Sequence, residues 1–347
     1  MVNTTSTKER NCSIDIFRII CAIMVVAVHT HPLTDNNGTA GFIATMIIPR
    51  IAVPFFFCVA GFYYVKGLLA KKSVFIRNVK KLLMVYVIWS SIYFSIKFLV
   101  SVIKHHEPIG TFMKKFIMNF FINGSNYQLW YFPTLFFCIF VVTFFNKLKL
   151  LKFLAYCSIL LYILGLLGCS YYSIGNGIPI IQIFINSPWF KLIRRVILMG
   201  LPFFMLGYFL NILEDKYRKI SNEKLLTGWG ITSVLFLIEI ILVIKLNLQA
   251  NIVISLCLYP LLAITMMLLL NNPLPKKRIL SYYTRGIANF IFYSHPIFIM
   301  ALGIVENKIL HIQVIATPMF LITSVLTIIA GWVLIKIDNE WLNSAFL

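Results

Sequence analysis

Three ionisable side chains stand out in the first apolar stretch, SIDIFRIICAIMVVAVHTHPL (13–33): Asp15, Arg18 and His29. A charge at bilayer depth costs roughly 2.5–3.5 kcal/mol on insertion scales, so such residues usually have a partner or a function. On a helix with about 3.6 residues per turn, His29 lies close to three turns beyond Arg18, and Asp15 lies about one turn before it. One helix face therefore presents an acid, a base and an imidazole over roughly 21 Å of rise.

Two interpretations of this stripe remain open on the residues alone. Asp15 and Arg18 could form a structural ion pair near one membrane surface, with His29 at the far end of the helix. Alternatively, the stripe could line a site that runs through the membrane, with Arg18 as a cation for anionic groups and His29 as a general base. The second interpretation makes Asp15, Arg18 and His29 the candidate catalytic residues.

Further polar and aromatic residues in apolar stretches are candidate ligands for a substrate or donor. Arg50 lies between Pro49 and Pro54, and prolines in a span free backbone carbonyls that a membrane tolerates only inside protein or along a wet cavity. Simple packing of this second span is an equally good explanation. The candidate substrate- or donor-binding residues are Arg50, Arg77, Lys80, Lys81, Trp130, Tyr131, Glu239 and His295.

Two groups among these candidates also have an ordinary structural explanation. Arg77, Lys80 and Lys81 suit a phosphate-rich ligand, but they equally suit a positively charged loop on the cytosolic side of a membrane. Trp130 and Tyr131 open the fourth span and are typical of the aromatic belt at a membrane surface. Both explanations stay open for each group.

The remaining two candidates are an acid and an imidazole inside predicted spans. Glu239 could carry a proton, although an acid that is paired or that reaches the membrane surface is the favoured interpretation. His295 precedes Pro296 in IFYSHPIFIM and could face the same cavity as His29. A single helix does not decide this orientation.

The composition identifies a polytopic membrane protein. Of the 347 residues, 60% are hydrophobic and 12% are charged, which is about half the charged fraction of a soluble domain. The net charge of +20 lies mostly between apolar stretches, a pattern that indicates membrane topology and anionic lipid rather than nucleic acid. The seven cysteines lack metal-ligand spacing, so no metal site is expected.

The hydropathy pattern predicts an all-α bundle of about ten transmembrane helices, since a span needs about 20 apolar residues. The stretch 108–124 combines phenylalanines with lysines and is predicted to form an amphipathic helix at the membrane surface. Short loops favour one compact domain at 14–336, with a head at 1–13 and a tail at 337–347. The predicted spans are 14–33, 46–70, 82–103, 128–146, 150–169, 191–213, 225–244, 250–270, 286–306 and 313–336.

The distribution of basic residues predicts the orientation. Most of the 31 Lys and Arg residues fall on one side if the N-terminus is cytosolic, so the positive-inside rule places both termini in the cytosol. No small-residue cleavage site follows the first span, which is therefore expected to be retained rather than removed as a signal peptide. The bilayer is the predicted partner, and a homodimer stays open.

Several of these segments resemble motifs of the acyltransferase-3 family of membrane proteins. DIFRIICAIMVVAVH (15–29) is similar to the first-helix signature of that family, an Arg followed after ten residues by a His. VPFFFCVAGFYY (53–64) is similar to its second-helix segment, with Ala60 where a Ser is common. FIRNVKKLLMVY (75–86) resembles its cytosolic basic motif, with Lys80 in place of the usual second Arg, and LWYFP and IFYSHP also resemble family segments.

The resemblance implies a ten-helix membrane enzyme that takes an acyl group from cytosolic acyl-CoA and delivers it to an extracytoplasmic sugar hydroxyl. Under this resemblance, His29 would be the catalytic base and Arg18 an essential cation beside it. Arg77 and Lys80 would belong to the donor side. Acetyl-CoA or another acyl-CoA would then be the donor.

A closer likeness is to the N-terminal membrane module of VanT-type serine racemases, which act in vancomycin resistance. It rests on RIAVPFFFCVAGFYYV (50–65) and NGSNYQLWYFPTLFF (123–137). In that group, the membrane part precedes a cytosolic, pyridoxal-phosphate-dependent racemase and is thought to bring it L-serine. The likeness implies a bacterial cell membrane and a racemase domain of the same polypeptide as partner. This chain is expected to be the membrane half, without bound pyridoxal phosphate.

Three functional hypotheses follow. The favoured one is delivery of L-serine to a fused racemase, with Arg18 for the carboxylate of serine and Asp15 or Glu239 for its amine. The second is an acyl-CoA-dependent O-acyltransferase in which His29 deprotonates the acceptor hydroxyl or relays the acyl group. The third is an inert membrane anchor for the racemase, although intramembrane charges are a costly way to build one.

Overall fold

The apolar stretches form helices throughout the computed structural model, which describes residues 11–35, 38–70, 73–274, 278–306, 315–337 and 339. Within these ranges there is no β-strand. Most of the predicted head and tail lies outside the described residues. The helices are α1 Cys12–Thr30, α2 Gly38–Leu69, α3 Phe75–Lys104, α4 Ile109–Met118, α5 Tyr131–Lys147, α6 Leu151–Leu167, α7 Tyr172–Asn176, α8 Pro179–Ile185, α9 Phe190–Ile212, α10 Glu214–Tyr217, α11 Asn222–Lys245, α12 Leu258–Asn271, α13 Arg278–Val305 and α14 Ala316–Lys336.

The all-α, polytopic class predicted from the sequence is confirmed. By length and composition, 7 of the helices in the described part of the chain suit a membrane span. These are α1, α2, α3, α9, α11, α13 and α14. Three shorter apolar helices, α5, α6 and α12, stand where further spans were predicted. The expectation of about ten spans therefore stays a prediction for those three.

The stretch predicted to be amphipathic also forms a helix. Helix α4 continues as a π-helical turn over Asn119–Asn123. Its one buried residue, Phe112, packs its ring against Phe94 and Phe98 of α3 at centroid distances of 5.5 and 5.6 Å. The apolar side of α4 thus covers α3, and its position at the membrane surface stays a prediction.

Polar contacts fix the start of α1. The Asn11 side chain caps the helix by accepting hydrogen bonds from the backbone N–H groups of Ser13 and Ile14, as expected of an N-cap asparagine. Its amide also donates to the Leu269 carbonyl of α12 over 2.7 Å. The Ser13 hydroxyl donates to the carbonyl of Asn272 over 2.7 Å. These bonds tie the first turn of α1 to the last turn of α12.

Helices α1 and α13 lie side by side, parallel and in register. The Ser281 hydroxyl of α13 donates a hydrogen bond to Asp15 of α1. Further along, the imidazole of His295 stacks on that of His29 with ring centroids 5.4 Å apart. The sequence separation is the same for both pairs, so the two helices advance together over roughly 21 Å. We call the two ends of this pair the Asp15 end and the His29 end.

Helices α2 and α9 approach each other most closely at two glycines. A Cβ atom on Gly61 would lie 1.9 Å from the carbonyl oxygen of Phe204, and one on Gly207 would lie 2.2 Å from the backbone nitrogen of Phe62. Small residues at such positions let membrane helices pack backbone to backbone. This contact positions α2, which carries Phe56 and Ala60 on the wall of the cavity described below.

We expect Gly61→Ala to lower the thermal unfolding midpoint of the detergent-solubilised chain, because the new methyl group collides with backbone that has no flexible end to move. Gly230→Ala is the matched control: it lies in α11 with no heavy atom within 4 Å of its Cβ position. That variant should keep or slightly raise the midpoint, since alanine favours helix by about 1 kcal/mol over glycine. Equal effects of the two substitutions would contradict the close packing of α2 and α9.

Candidate functional site

At the Asp15 end, a buried carboxylate holds an arginine. Asp15 is 3% exposed; one of its oxygens accepts a hydrogen bond from Arg18 Nη1 over 2.9 Å, and the other accepts from the Ser281 hydroxyl. Both oxygens of the carboxylate are therefore satisfied from within the protein. This is the ion pair that the sequence predicted as one of two interpretations, and it fixes the direction of the guanidinium.

The guanidinium of Arg18 lines a cavity of about 250 Å³ between α1, α2, α3, α5 and α13. The wall is mostly aromatic and aliphatic, and it includes Tyr131 and Ala60. Asn78 and Lys81 of α3 also line it, and Lys81 is exposed. The cavity therefore reaches the protein surface beside Lys81. Ala60 leaves the wall without a hydroxyl at that point.

The basic group around residue 80 lies on a helix, which corrects the interpretation of this group as a loop. Residues Arg77, Lys80 and Lys81 occupy the first two turns of α3, because the segment lacks proline and glycine and Lys and Arg favour helix. Lys81 and Asn78, one turn apart, line the cavity. Arg77 and Lys80 are exposed and do not line it. Their predicted role in donor binding stays a prediction.

At the His29 end, three rings form a compact cluster. His29 lies 4.4 Å from Tyr127 and 5.4 Å from His295, measured between ring centroids. His295 is fully buried, whereas Tyr127 is 47% exposed. The cluster is therefore reached from outside through the Tyr127 side. The prediction that His295 could face the same space as His29 agrees with this geometry.

The backbone of α13 decides which nitrogen of His295 carries a proton. His295 Nδ1 lies 2.9 Å from the carbonyl oxygen of Ile291, and a carbonyl can only accept, so Nδ1 donates. In the neutral ring, Nε2 is then a lone-pair acceptor, and this atom is buried with no hydrogen-bond partner among the described residues. Pro296, inside the helix, has no N–H to donate to the Phe292 carbonyl, so one helix hydrogen bond is absent beside this imidazole.

Residues 124–130, before α5, form a rigid segment that we call the platform. It connects the Asp15 end and the His29 end. Gly124 has a φ of 84°, and a Cβ there would lie 2.3 Å from the nitrogen of Trp130. The Ser125 carbonyl accepts a hydrogen bond from Lys97 Nζ over 2.6 Å, and the buried Gln128 amide donates to the Tyr293 carbonyl over 3.0 Å. Fixed in this way, the platform places Tyr127 on the histidine cluster.

The two aromatic residues predicted as candidates at the start of α5 lie in different places. The Tyr131 ring lines the cavity and contacts Phe56 and Phe292 at centroid distances of 6.5 and 5.6 Å. The Trp130 ring lies instead under the guanidinium of Arg195, 5.4 Å from its carbon. Only Tyr131 therefore contributes to the cavity of Arg18.

Glu239 lies away from both groups and has a structural explanation. Its carboxylate accepts hydrogen bonds from the Tyr171 hydroxyl over 2.8 Å and from the backbone N–H groups of Leu256 and Cys257 over 2.6 and 2.8 Å. Those N–H groups precede α12, where a carboxylate stabilises the positive end of the helix. This arrangement favours the interpretation of Glu239 as a paired acid.

Arg50 also lies outside the cavity. Its Nε donates to the Met46 carbonyl over 2.8 Å, and Nη2 lies 3.0 Å from the sulfur of the same residue. Its segment is a 3₁₀ turn over Ile48–Ile51 that follows a π-helical turn over Ile43–Ile47. Of the two prolines that suggested broken backbone in the second span, Pro49 lies in this irregular helix and Pro54 lies in regular α-helix.

Sequence reasoning missed several contributors to these groups. A single sequence does not single out Asn78, Tyr127 or Ser281. Polar residues near helix ends or in loops are common, and the partner of each lies on another helix. Arg194 and Arg195 were counted only among the basic residues on the side opposite the cytosol. Their position in a predicted span, beside each other, was the available signal.

The chain belongs to the acyltransferase-3 family: the family model described as an acyltransferase domain matches residues 11–336. No solved structure matches the chain. The matched range contains all of the residues of the cavity and of the histidine cluster.

Curated relatives of the chain are named racemases. An amino-acid racemase of Enterococcus faecalis is 30% identical over 341 residues, which cover 92% of this chain and 46% of that protein. A second amino-acid racemase of Enterococcus faecalis is 30% identical over 217 residues, 61% of this chain and 30% of the relative. A serine/alanine racemase of Enterococcus gallinarum is 32% identical over 176 residues, which cover 49% of this chain and 25% of that protein. The chain thus spans less than half the length of these relatives.

We expect the Asp15–Arg18 pair to be strongly coupled. Asp15→Asn or Arg18→Gln alone should lower the free energy of unfolding by about 3 kcal/mol, since breaking a buried pair leaves one charge uncompensated. The double variant should be clearly less destabilised than the sum of the two, as measured by thermal unfolding in detergent. The pair Lys115–Glu107, at 2.6 Å and with an exposed lysine, is the control and should change stability little. Additive effects at Asp15 and Arg18 would contradict the pairing.

Proposed function

We propose that this domain binds L-serine in the cavity of Arg18 and delivers it to a cytosolic racemase domain, as the membrane module of a VanT-type serine racemase. The observation that carries the proposal is the cavity itself. At about 250 Å³ it lies below the roughly 300–1,000 Å³ of sites for drug-sized ligands. Its volume suits an amino acid better than a whole acyl-CoA.

The groups around the cavity suit a small zwitterion. Among the described residues, Arg18 donates one hydrogen bond, to Asp15, so other N–H groups of its fork remain for a carboxylate. Asp15 is buried and does not line the cavity, so the ammonium group of serine would lie against the aromatic faces of the wall. Glu239, the other acid predicted for the amine, is fully engaged elsewhere.

The relatives support the choice of an amino acid as ligand. Their names give racemases of amino acids and of serine or alanine, and each is more than twice as long as the part that this chain matches. A racemase in the remaining part would need its substrate at the cytosolic surface. In this proposal, the chain provides the path that L-serine takes to the racemase domain. Pyridoxal phosphate belongs to that racemase domain.

Arg18→Lys tests the proposal by calorimetry with L-serine on the purified chain. The lysine keeps the charge beside Asp15 but loses the planar fork that binds a carboxylate at two points, so we expect binding to weaken about tenfold. Lys80→Gln, an exposed charge outside the cavity, is the matched control and should bind L-serine as the wild-type chain does. Wild-type protein that binds acetyl-CoA and no L-serine would contradict the proposal.

Acyl transfer is the second candidate function, and the histidine cluster favours it. The unpartnered Nε2 of His295 beside His29 is the arrangement that a general base for a hydroxyl acceptor needs. In this alternative, acetyl-CoA or another acyl-CoA would approach from the Lys81 side. The acceptor would approach from the Tyr127 side.

If the chain transfers acyl groups, His29→Ala and His295→Asn should each lower the rate of acetyl-CoA turnover by about a hundredfold, the usual scale of general base catalysis. Asparagine can still donate to the Ile291 carbonyl but has no basic nitrogen. Exposed His105→Ala serves as the control. Unchanged turnover in both cluster variants, measured as release of free thiol, would exclude the histidines as the base.

A further inference from the structure

We propose that Arg50, Arg194 and Arg195 form a second site, distinct from the cavity of Arg18, that binds an oxyanion at the His29 end. The three arginines are half-buried. Helices α2 and α9 pair in a register that places Gly200 beside Phe57 and Phe204 beside Gly61, a separation of 143 residues in both cases. This register brings Arg50 close to the level of Arg194, and Arg195 is the next residue. They come together from α2 and α9, two helices that pack against each other.

Neutral groups hold each of the three arginines in place. Arg50 bonds to the carbonyl and sulfur of Met46. Arg195 lies over the ring of Trp130, a cation–π contact. Arg194 lies beside the thiol of Cys169 and interacts with it electrostatically. None of these partners carries the negative charge that would compensate three cations.

No acidic side chain in the described part of the chain pairs with this group. The ion pairs found there join Arg18, Lys66, Lys115 and Arg218 to Asp15, Glu107 and Glu214. In addition, Arg194 Nε is buried with no hydrogen-bond partner among the described residues. A buried charged donor without a partner is unfavourable unless a ligand accepts its hydrogen bond. Three neighbouring guanidiniums, one of them with a buried N–H that has no partner, therefore indicate a binding site for an anion.

The local backbone also departs from regular helix on both sides of the group. Arg194 begins a π-helical segment that runs to Gly200, and Arg50 lies in the 3₁₀ turn after another π-helical turn. Such segments inside helices occur frequently at functional sites. Here they lie on the two helices that carry the three arginines.

The chemistry of the ligand follows from the guanidinium fork. Its parallel N–H groups match the two oxygens of a carboxylate or a phosphate. Two sources could present such an oxyanion at this end of a membrane protein: a soluble small molecule or the headgroup of an anionic phospholipid. The first would reach the group from the aqueous side, and the second from the bilayer.

The test is a thermal unfolding series on the purified chain in an uncharged detergent at constant ionic strength. The probes are inorganic phosphate, acetate and short-chain phosphatidylglycerol, with phosphatidylcholine as the uncharged-lipid comparison. A ligand that binds only folded protein raises the midpoint with concentration. We expect a saturable rise with at least one anionic probe and none with phosphatidylcholine. A rise with phosphatidylglycerol alone would identify a lipid headgroup, and a rise with phosphate or acetate would identify a soluble oxyanion.

Arg194→Gln should weaken this response at least tenfold without lowering the ligand-free midpoint, because it removes repulsion as well as the orphan donor. Arg195→Gln is the second variant and should also weaken the response to the anionic probe. Lys245→Gln, at an exposed position in the last turn of α11, makes the same charge change elsewhere and should respond as the wild-type chain does. No saturable response to any anionic probe, or an equal response in Arg194→Gln, would overturn the proposal.

Discussion

The buried carboxylate of Asp15 is the interaction on which the arrangement of this protein depends. It accepts from Arg18 on its own helix and from Ser281 on α13, so it sets both the direction of a guanidinium and the register of two helices. In an apolar bundle, helix faces can slide with little cost, whereas a buried charge accepts only the position that satisfies it. Because α1 and α13 are parallel, the register set at Asp15 also brings His295 against His29.

The charged residues at the two ends of this helix pair have different surroundings. At the Asp15 end, the cation of Arg18 is paired and faces a small cavity that opens beside Lys81. At the His29 end, Arg50, Arg194 and Arg195 converge without an acid among the described residues. A domain that moves an anionic or zwitterionic molecule between two surfaces needs attraction at its entrance and a balanced site within. Under the proposed function, the three arginines would supply this attraction and the cavity of Arg18 the balanced site.

The sequence carried much of this information within single helices. The spacing of Asp15, Arg18 and His29 on one face followed from helix geometry, and the ion pair of the first two is present in the structure. Helix type and approximate span positions followed from hydropathy. A loop was one of two interpretations of the basic group, because charges commonly lie between spans. Nothing in FIRNVKK breaks a helix, however, and Lys81 is the one of the three basic residues that reaches the cavity.

Contacts between helices were beyond the sequence because they depend on packing. Ser281 as the partner of Asp15 and Tyr127 as the neighbour of His29 require knowledge of which helices meet. The proton position on His295 depends on the Ile291 carbonyl, which only the folded helix supplies. For Glu239, sequence reasoning left a proton carrier and a paired acid open, and three hydrogen bonds from the start of α12 favour the second.

The central claim is that L-serine occupies the cavity beside Arg18, and thiol protection at position 60 tests it most directly. Ala60 lines the cavity, so in Ala60→Cys the rate of reaction with a small methanethiosulfonate reagent reports occupancy, with the unsubstituted chain as blank for the native cysteines. The account predicts that L-serine slows the reaction in a saturable manner and that acetyl-CoA does not. Protection by acetyl-CoA alone, or an unchanged rate with L-serine, would contradict it.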